Sequence, residues 1–267
     1  MQHEFFATAS NRIHALFAAK RNILNIYFTA GFPQLNDTVR IIKALTRAGV
    51  DMIEIGMPFS DPLADGPTIQ QSSQRALENG MSIRLLFEQL QHIRQHTNLP
   101  LLLMGYLNPV MQFGIENFCQ NAREIGIDGL ILPDLPMHEY LTEYRPIFER
   151  YGLLNIFLIT PQTAEARIRQ IDELSQQSFI YMVSAASTTG AKQGFTPEQR
   201  TYFERIAAMH LKSPKLIGFG IANSATFEEA CRYAEGAIIG SAFINLLQQS
   251  VDLEADISAF VHALRGG

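Results

Sequence analysis

Two carboxylates lie eleven residues apart in the stretch DMIEIGMPFSDPLADGPTIQ, residues 51–70, and their settings differ. Glu54 alternates with Val50 and Met52, so the three share one side of a strand. Ile53 and Ile55 make the other side apolar too, which predicts a strand covered on both faces and a buried Glu54. No Lys or Arg stands within the apolar strand segments to neutralise it. A buried carboxyl without a base has its pKa pushed toward neutrality, the state suited to a group that gives and takes protons. The competing reading is a structural carboxylate paired with a buried base. Asp65 ends a loop rich in Pro and Gly, just before Gly66-Pro67, where Asp-Gly-Pro is equally a turn. A buried strand carboxylate facing a loop carboxylate is an arrangement for acid/base chemistry.

Other chemistries find less support. The lysines are Lys20, Lys43, Lys192, Lys212 and Lys215, and only Lys192 falls on a loop that could meet Glu54, which disfavours a Schiff base. His92 and His96 share a helix face but lack a third ligand, and Cys119 and Cys231 have no metal-ligand spacing, so no metal site is expected. Neither G-x-S-x-G nor a P-loop occurs.

The elements that must position the carboxylates follow from hydrophobic patterning. Apolar strand segments at 23–30, 50–56, 101–104, 129–132, 153–159, 179–183, 216–219 and 237–239 alternate with amphipathic helical stretches. The helices fall at 37–48, 68–79, 82–96, 115–125, 138–150, 164–175, 197–210 and 225–234, a short helix precedes the first strand at 11–19, and two more close the chain. Residues 105–112 read as a loop. Eight strands, each followed by a helix, is the count of an α/β protein of the (β/α)8 TIM-barrel class with extra helices. The alternative, a doubly wound sheet binding a dinucleotide, would carry G-x-G-x-x-G after its first strand, where this chain has Gly31-Phe32-Pro33. No linker or composition shift interrupts the 267 residues, which predicts one domain over 1–267.

Barrel enzymes react at the C-terminal ends of their strands, and that rule brings Glu54, Asp65, Tyr106, Asn108, Asp134, the 184–194 loop, Gly218 to Gly220 and Gly240-Ser241 to one mouth. Loops after the last two strands hold phosphates in this fold. Gly190, Gly220, Gly240, Ser241 and Ala242 could offer backbone N–H groups to such an anion without Lys or Arg. Singly, each glycine is better explained by a turn, and it is glycines at both strand ends together that favour a phosphate. The net charge is −5 with a pI near 5.8, and no basic run suggests nucleic acid. No apolar run reaches the ~18 residues of a membrane span, and the N-terminus carries Glu4 and no apolar core, so a cytoplasmic protein with reduced thiols is expected.

The E-x-G-x-P-F-S-D-P-x-A-D-G-P core of residues 54–67 closely resembles the signature of the tryptophan synthase alpha chain family. The similarity extends along the chain through Thr29-Ala30-Gly31, Tyr106-x-Asn108-Pro109, Asp134-Leu135-Pro136, Thr189-Gly190, Gly218-Phe219-Gly220 and Gly240-Ser241-Ala242. It implies a cofactor-free carbon–carbon lyase that cleaves indole-3-glycerol phosphate to indole and glyceraldehyde 3-phosphate. It also implies a beta chain partner, in an alpha2beta2 heterotetramer, which uses pyridoxal phosphate to join the indole to serine. By this resemblance Glu54 is the acid/base group and Asp65 holds the indole N–H. Tyr27, Met104, Tyr106 and Leu132 would line the indole slot, while Thr189, Gly190, Gly218, Phe219, Gly220, Gly240 and Ser241 would meet the rest of the substrate. The loops around Pro58, Asp61, Asn108 and Pro136 match the side that meets the beta chain. The chain departs from many members at Ala185, where a larger or basic residue is common, at Ser187, often Gly, and at Tyr27, often Phe. A stand-alone lyase, a catalytically silent barrel and a phosphosugar isomerase are the competing readings, and the Glu54/Asp65 pair argues against a silent site.

Overall fold

The computed structural model describes residues 11–184 and 194–267. Helix α1 (Arg12–Ala19) begins where the Asn11 side chain accepts from the Ile13 N–H, and leads into β1 (Ile23–Thr29). Then come α2 (Asp37–Ala48), β2 (Met52–Gly56), α3 (Pro67–Glu78), α4 (Ile83–Leu90), β3 (Leu101–Met104), α5 (Leu107–Phe113), α6 (Ile115–Ile125) and β4 (Gly129–Ile131). The second half holds α7 (Met137–Glu139), α8 (Arg145–Tyr151), β5 (Leu154–Asn155), β6 (Phe157–Ile159), α9 (Glu165–Leu174), β7 (Ile180–Val183), α10 (Pro197–Ala208), β8 (Lys215–Gly218), α11 (Ser224–Cys231), β9 (Gly236–Ile239), α12 (Ser241–Gln249) and α13 (Leu253–Leu264).

The strands are parallel and ordered β5-β4-β3-β2-β1-β9-β8-β7-β6. β5 and β6 are successive pieces of one segment, so the ladder returns on itself as a nearly closed (β/α)8 barrel. The fifth strand, expected as one run over 153–159, is split at Ile156 because its first half pairs with β4 and its second with β7. Residues 105–112, expected as a loop, contain α5. Pro109 is its third residue, where the helix has no carbonyl waiting for an N–H. The Asp134 carboxylate, from the loop after β4, accepts from the Leu107 N–H at 2.9 and 3.1 Å and caps this helix from outside. The helix expected over 82–96 ends at Leu90, with a short 3-10 turn at Ile93–Gln95, and the one expected over 138–150 passes through a π turn at Tyr140–Tyr144 between α7 and α8.

Strand alternation sorts the apolar residues into two layers. Ile23, Met52, Leu102, Ile131, Phe179 and Leu216 fill the barrel interior, and Ile13 and Phe17 of α1 plug its floor, with the Phe17 and Phe179 rings 5.5 Å apart. Residues of opposite parity, such as Ile53, Ile55, Leu103 and Leu130, pack beneath the helices. Charges at the floor tie the strand entrances together: Asp128 accepts from Arg12 (2.9 Å), Arg94 (2.7 Å) and the Leu101 N–H (2.9 Å), and Asp51 pairs with Lys20 and Arg265. Among the described residues no helix is long and apolar enough to cross a membrane.

Candidate active site

Glu54 sits in the middle of β2, level with Tyr27 on β1 and Leu102 on β3, and is completely buried. Its Oε1 accepts from the side-chain amide of Asn25 at 2.5 Å, and its Oε2 has no partner among the described residues. Burial pushes its pKa up to about 8, against the opposing pull of the Asn25 hydrogen bond. The strand carboxylate thus has a partner among the described residues, and it is a neutral amide.

Asp65 is held from below and from the side. Its N–H donates to the Pro62 carbonyl at 3.1 Å, and its own carbonyl accepts from the Gln70 amide at 2.9 Å. Gly66 caps α3 with Pro67 as the first helical residue, so the Asp-Gly-Pro turn and the site are one structure. The Tyr106 hydroxyl donates to Asp65 Oδ2 at 3.0 Å and accepts from the Ala64 N–H at 3.0 Å, locking the β2–α3 loop onto the end of β3. Burial raises the Asp65 carboxyl to about 6, with the Tyr106 bond opposing.

The expected slot residues separate into those that meet and one that does not. Tyr27, Met104 and Tyr106 surround a small cavity together with Asp65, Met57 and Phe59, its volume about 10 Å³, room for about one water. Tyr27 lies flat across Gly56, where any Cβ would run into its ring, and its hydroxyl is within 3.4 Å of the Thr29 hydroxyl. Thr29 in turn bonds Ser72 of α3 at 2.7 Å. Leu132 does not line this cavity. Gly129 and Ile131 take the inward parity of β4, so Leu132 points with Leu130 into the layer under the helices, and Ile131 faces the interior instead.

On the glycine side, Gly218 ends β8 beneath the Tyr181 ring, and a Cβ there would strike it; this glycine makes room for an aromatic side chain. Phe219 and Gly220 follow with φ of 71° and 79°, a left-handed pair that turns the chain sharply at the mouth. The Ser184 hydroxyl donates to the Phe219 carbonyl at 2.7 Å and accepts from Gln199 at 3.3 Å, which fixes that turn. Gly240 caps α12, so Ser241 and Ala242 open a nine-residue helix whose first N–H groups have no partner within the helix, and Gly240 lies against Tyr27. Thr189 and Gly190, with Ala185 and Ser187, lie outside the described residues.

Asn25 and Tyr181 are neighbours of Glu54 that sequence reasoning passed over. Alternation along β1 (Ile23, Asn25, Tyr27, Thr29) could have placed Asn25 on the Glu54 side; nothing local points to Tyr181. Burial, the nearby Glu54 and Asp65 carboxyls and Tyr27 all push the Tyr181 phenol well above its usual range, so it stays neutral. No group of three His, Cys, Asp or Glu among the described residues could hold a metal ion.

This arrangement has counterparts among known proteins. A family model described as tryptophan synthase alpha chain matches residues 13–265. The tryptophan synthase alpha chain of Flavobacterium johnsoniae is 60% identical over 240 residues, covering 90% of this chain and 94% of that protein. That of Bacteroides thetaiotaomicron is 54% identical, covering 96% and 100%. Among solved structures, the tryptophan synthase alpha chain of Legionella pneumophila superposes with a TM-score of 0.85 at 32% identity, over 97% of both chains. The tryptophan synthase of Mycobacterium tuberculosis gives 0.86 at 29% identity, over 96% of this chain and 98% of that one. With the barrel and near full-length similarity in agreement, the chain belongs to the tryptophan synthase alpha chain family.

Proposed function

We propose that Glu54 and Asp65 divide the proton and charge work of the retro-aldol cleavage of indole-3-glycerol phosphate to indole and glyceraldehyde 3-phosphate. The observation that carries this reading is the pair of raised carboxyls: Glu54, buried and near 8, is protonated at neutral pH, while Asp65, near 6, is ionised. Glu54 gives its proton to C3 of the indole ring, which leaves positive charge on the ring nitrogen. Asp65 accepts the N–H and faces that charge, so its interaction strengthens as the transition state forms. Glu54, now a carboxylate, takes the proton of the hydroxyl beside the breaking bond. The C–C electrons return to the ring, the hydroxyl carbon becomes the aldehyde, and Glu54 is protonated again.

Tyr27, Met104, Tyr106 and the inward Ile131 flank the ring in this reading, and because the cavity takes about one water, side chains at its rim must shift to admit an indole. The N-terminus of α12 with Gly240 and Ser241, and the turn at Phe219-Gly220, hold the phosphate, with Thr189-Gly190 completing the cradle. Gly218 contributes by seating Tyr181.

The whole chain acts as one barrel domain in the cytoplasm, as the alpha subunit of an alpha2beta2 assembly. Exposed Asp61, Asn108 and Pro136 stand on the loops at the mouth, and the same rim exposes Leu63 at 92% and Met111 at 55%, apolar surface fitted to a beta chain. This chain's chemistry requires no cofactor, and pyridoxal phosphate belongs to the beta chain. The test is indole release from indole-3-glycerol phosphate by the chain alone and then with a beta chain. Slow release alone that rises on addition supports the reading. Full activity alone with no gain would point to a stand-alone lyase, and no release in either condition would overturn the assignment.

A further inference from the structure

We infer that Asn25 is a positioning residue for this reaction: its side-chain amide holds one oxygen of Glu54 inside the barrel and leaves the other to carry the transferred proton. The inference rests on the reading of Glu54 as the acid/base group. In the strand register Glu54 is level with Tyr27, and Asn25 is two residues nearer the floor, level with Met52 and on the same inward side. Both side chains are fully buried, among interior neighbours that include Met52, Leu102 and Ile131. The amide bond at 2.5 Å is the one hydrogen bond the Glu54 side chain makes among the described residues.

The orientation of the amide follows from chemistry. Among the described residues the Asn25 carbonyl oxygen is buried without a partner; turned over, the amide could accept only from the protonated carboxyl and would repel the carboxylate that the second step needs. Asn25 therefore donates, which favours the ionised form of Glu54 and opposes the effect of burial. With Oε1 occupied, the unpartnered Oε2 is the atom at which the proton sits and from which it leaves. The titratable groups around this carboxyl are the phenols of Tyr27 on β1 and Tyr181 on β7, with Asp65 at the mouth acting on both phenols. Burial keeps both phenols neutral, and among the described residues no cation acts on Glu54 beside the amide. Glu54 must be an acid in the first step and a base in the second, and Asn25 keeps both forms within reach. Neither Glu54 nor Asn25 lines the small cavity at the mouth, and Asn25 lies two residues nearer the floor than Glu54, so its loss should act on turnover through Glu54 rather than on binding.

The experiment is the pH dependence of indole release for Asn25→Leu, Asn25→Asp and Asn25→Ser beside the native chain. In the native enzyme kcat/KM should fall on the basic side as Glu54 loses its proton near 8. Asn25→Leu, near in shape but without a donor, should move that limb up by about one pH unit and lower kcat about tenfold, with KM within about twofold. Asn25→Asp should move it further, because two adjacent carboxyls share one proton. A residue that only fills space would lower kcat and the melting temperature together and leave the limb in place, so an unmoved limb in folded variants overturns the proposal. If Leu and Asp disrupt folding, Asn25→Ser, smaller than the native side chain, is judged by the same limb. Glu54→Gln separates the two levels. If it retains activity, the acid/base reading itself fails. If it is inactive while the Asn25 variants keep the native limb, only the role of Asn25 fails.

Discussion

Tyr106→Phe removes one oxygen and probes how Asp65 is kept ionised. The Tyr106 hydroxyl donates to Asp65 at 3.0 Å, which stabilises the carboxylate and lowers a pKa that burial has raised to about 6. A hydrogen bond to a charged group contributes about 1.5–3 kcal/mol. Asp65 is only partly buried, so the lower end applies, and about 1.4 kcal/mol corresponds to one pH unit. The carboxyl should then titrate near 7. On the proposed roles, in which a charged Asp65 receives the indole N–H and Glu54 gives the proton, the acid limb of kcat/KM should move to higher pH by about one unit while the basic limb stays. From the ionised fractions alone, the variant should lose about threefold at pH ~6.5 and only about 1.3-fold at pH ~7.5. A further loss independent of pH is expected because the Ala64 N–H also loses its acceptor. The assay is indole release from indole-3-glycerol phosphate between about pH 5 and about pH 9, with circular dichroism confirming the fold. An acid limb unmoved in a folded variant would refute the link between Tyr106, the charge of Asp65 and the rate.

Other substitutions test separate parts of the molecule. Gly56→Ala places a methyl group under the Tyr27 ring, which must move into the slot; KM for substrate should rise, with a stability cost of about 1–3 kcal/mol by urea unfolding. Asp128→Ala leaves Arg12 and Arg94 unpaired at the floor, away from the mouth, and should cost about 3 kcal/mol while activity per folded molecule is kept. Glu54→Gln should stabilise the protein. The folded state holds the Glu54 proton up to about pH 8, whereas the unfolded chain releases it near 4.5, so the native residue's relative stability is full below 4.5 and is lost as pH rises toward 8. Melting temperatures of the variant and native chain should therefore diverge with rising pH, the variant ahead by a few kcal/mol at most near pH 7.

Much of this site can be read from residue order because it rests on local rules. The two-residue alternation of Met52 and Glu54 predicts a buried carboxyl on one face of β2, although Val50, expected on the same face, precedes the strand and packs under the helices. The barrel rule carries Asp65 and Tyr106 to the same mouth. Errors arise where parity or pairing decides. The family resemblance puts Leu132 in the slot, but β4 ends at Ile131, and a shift of one residue reverses the face. The run Leu153 to Ile159 is apolar apart from Asn155 and reads as one strand, so the change of ladder partners at Ile156 is not expected from it. Pro109 reads as a loop signal, yet it sits in the first turn of α5, whose cap, Asp134, comes from another loop. By the resemblance Gly218 meets the substrate, while its bare Cα also serves the Tyr181 ring on the neighbouring strand. Such contacts exist only once the strands are paired.

Everything above turns on Glu54 moving the protons of the cleavage. Its sharpest test is the rate of indole release from indole-3-glycerol phosphate by Glu54→Gln, measured with the native chain under identical conditions. The glutamine keeps the size of the side chain and can still accept from Asn25, but it cannot exchange a proton. The expected loss is at least about 10²-fold, with the fold preserved and the melting temperature unchanged or higher. Turnover within about tenfold of the native rate would show that the protons travel by another group.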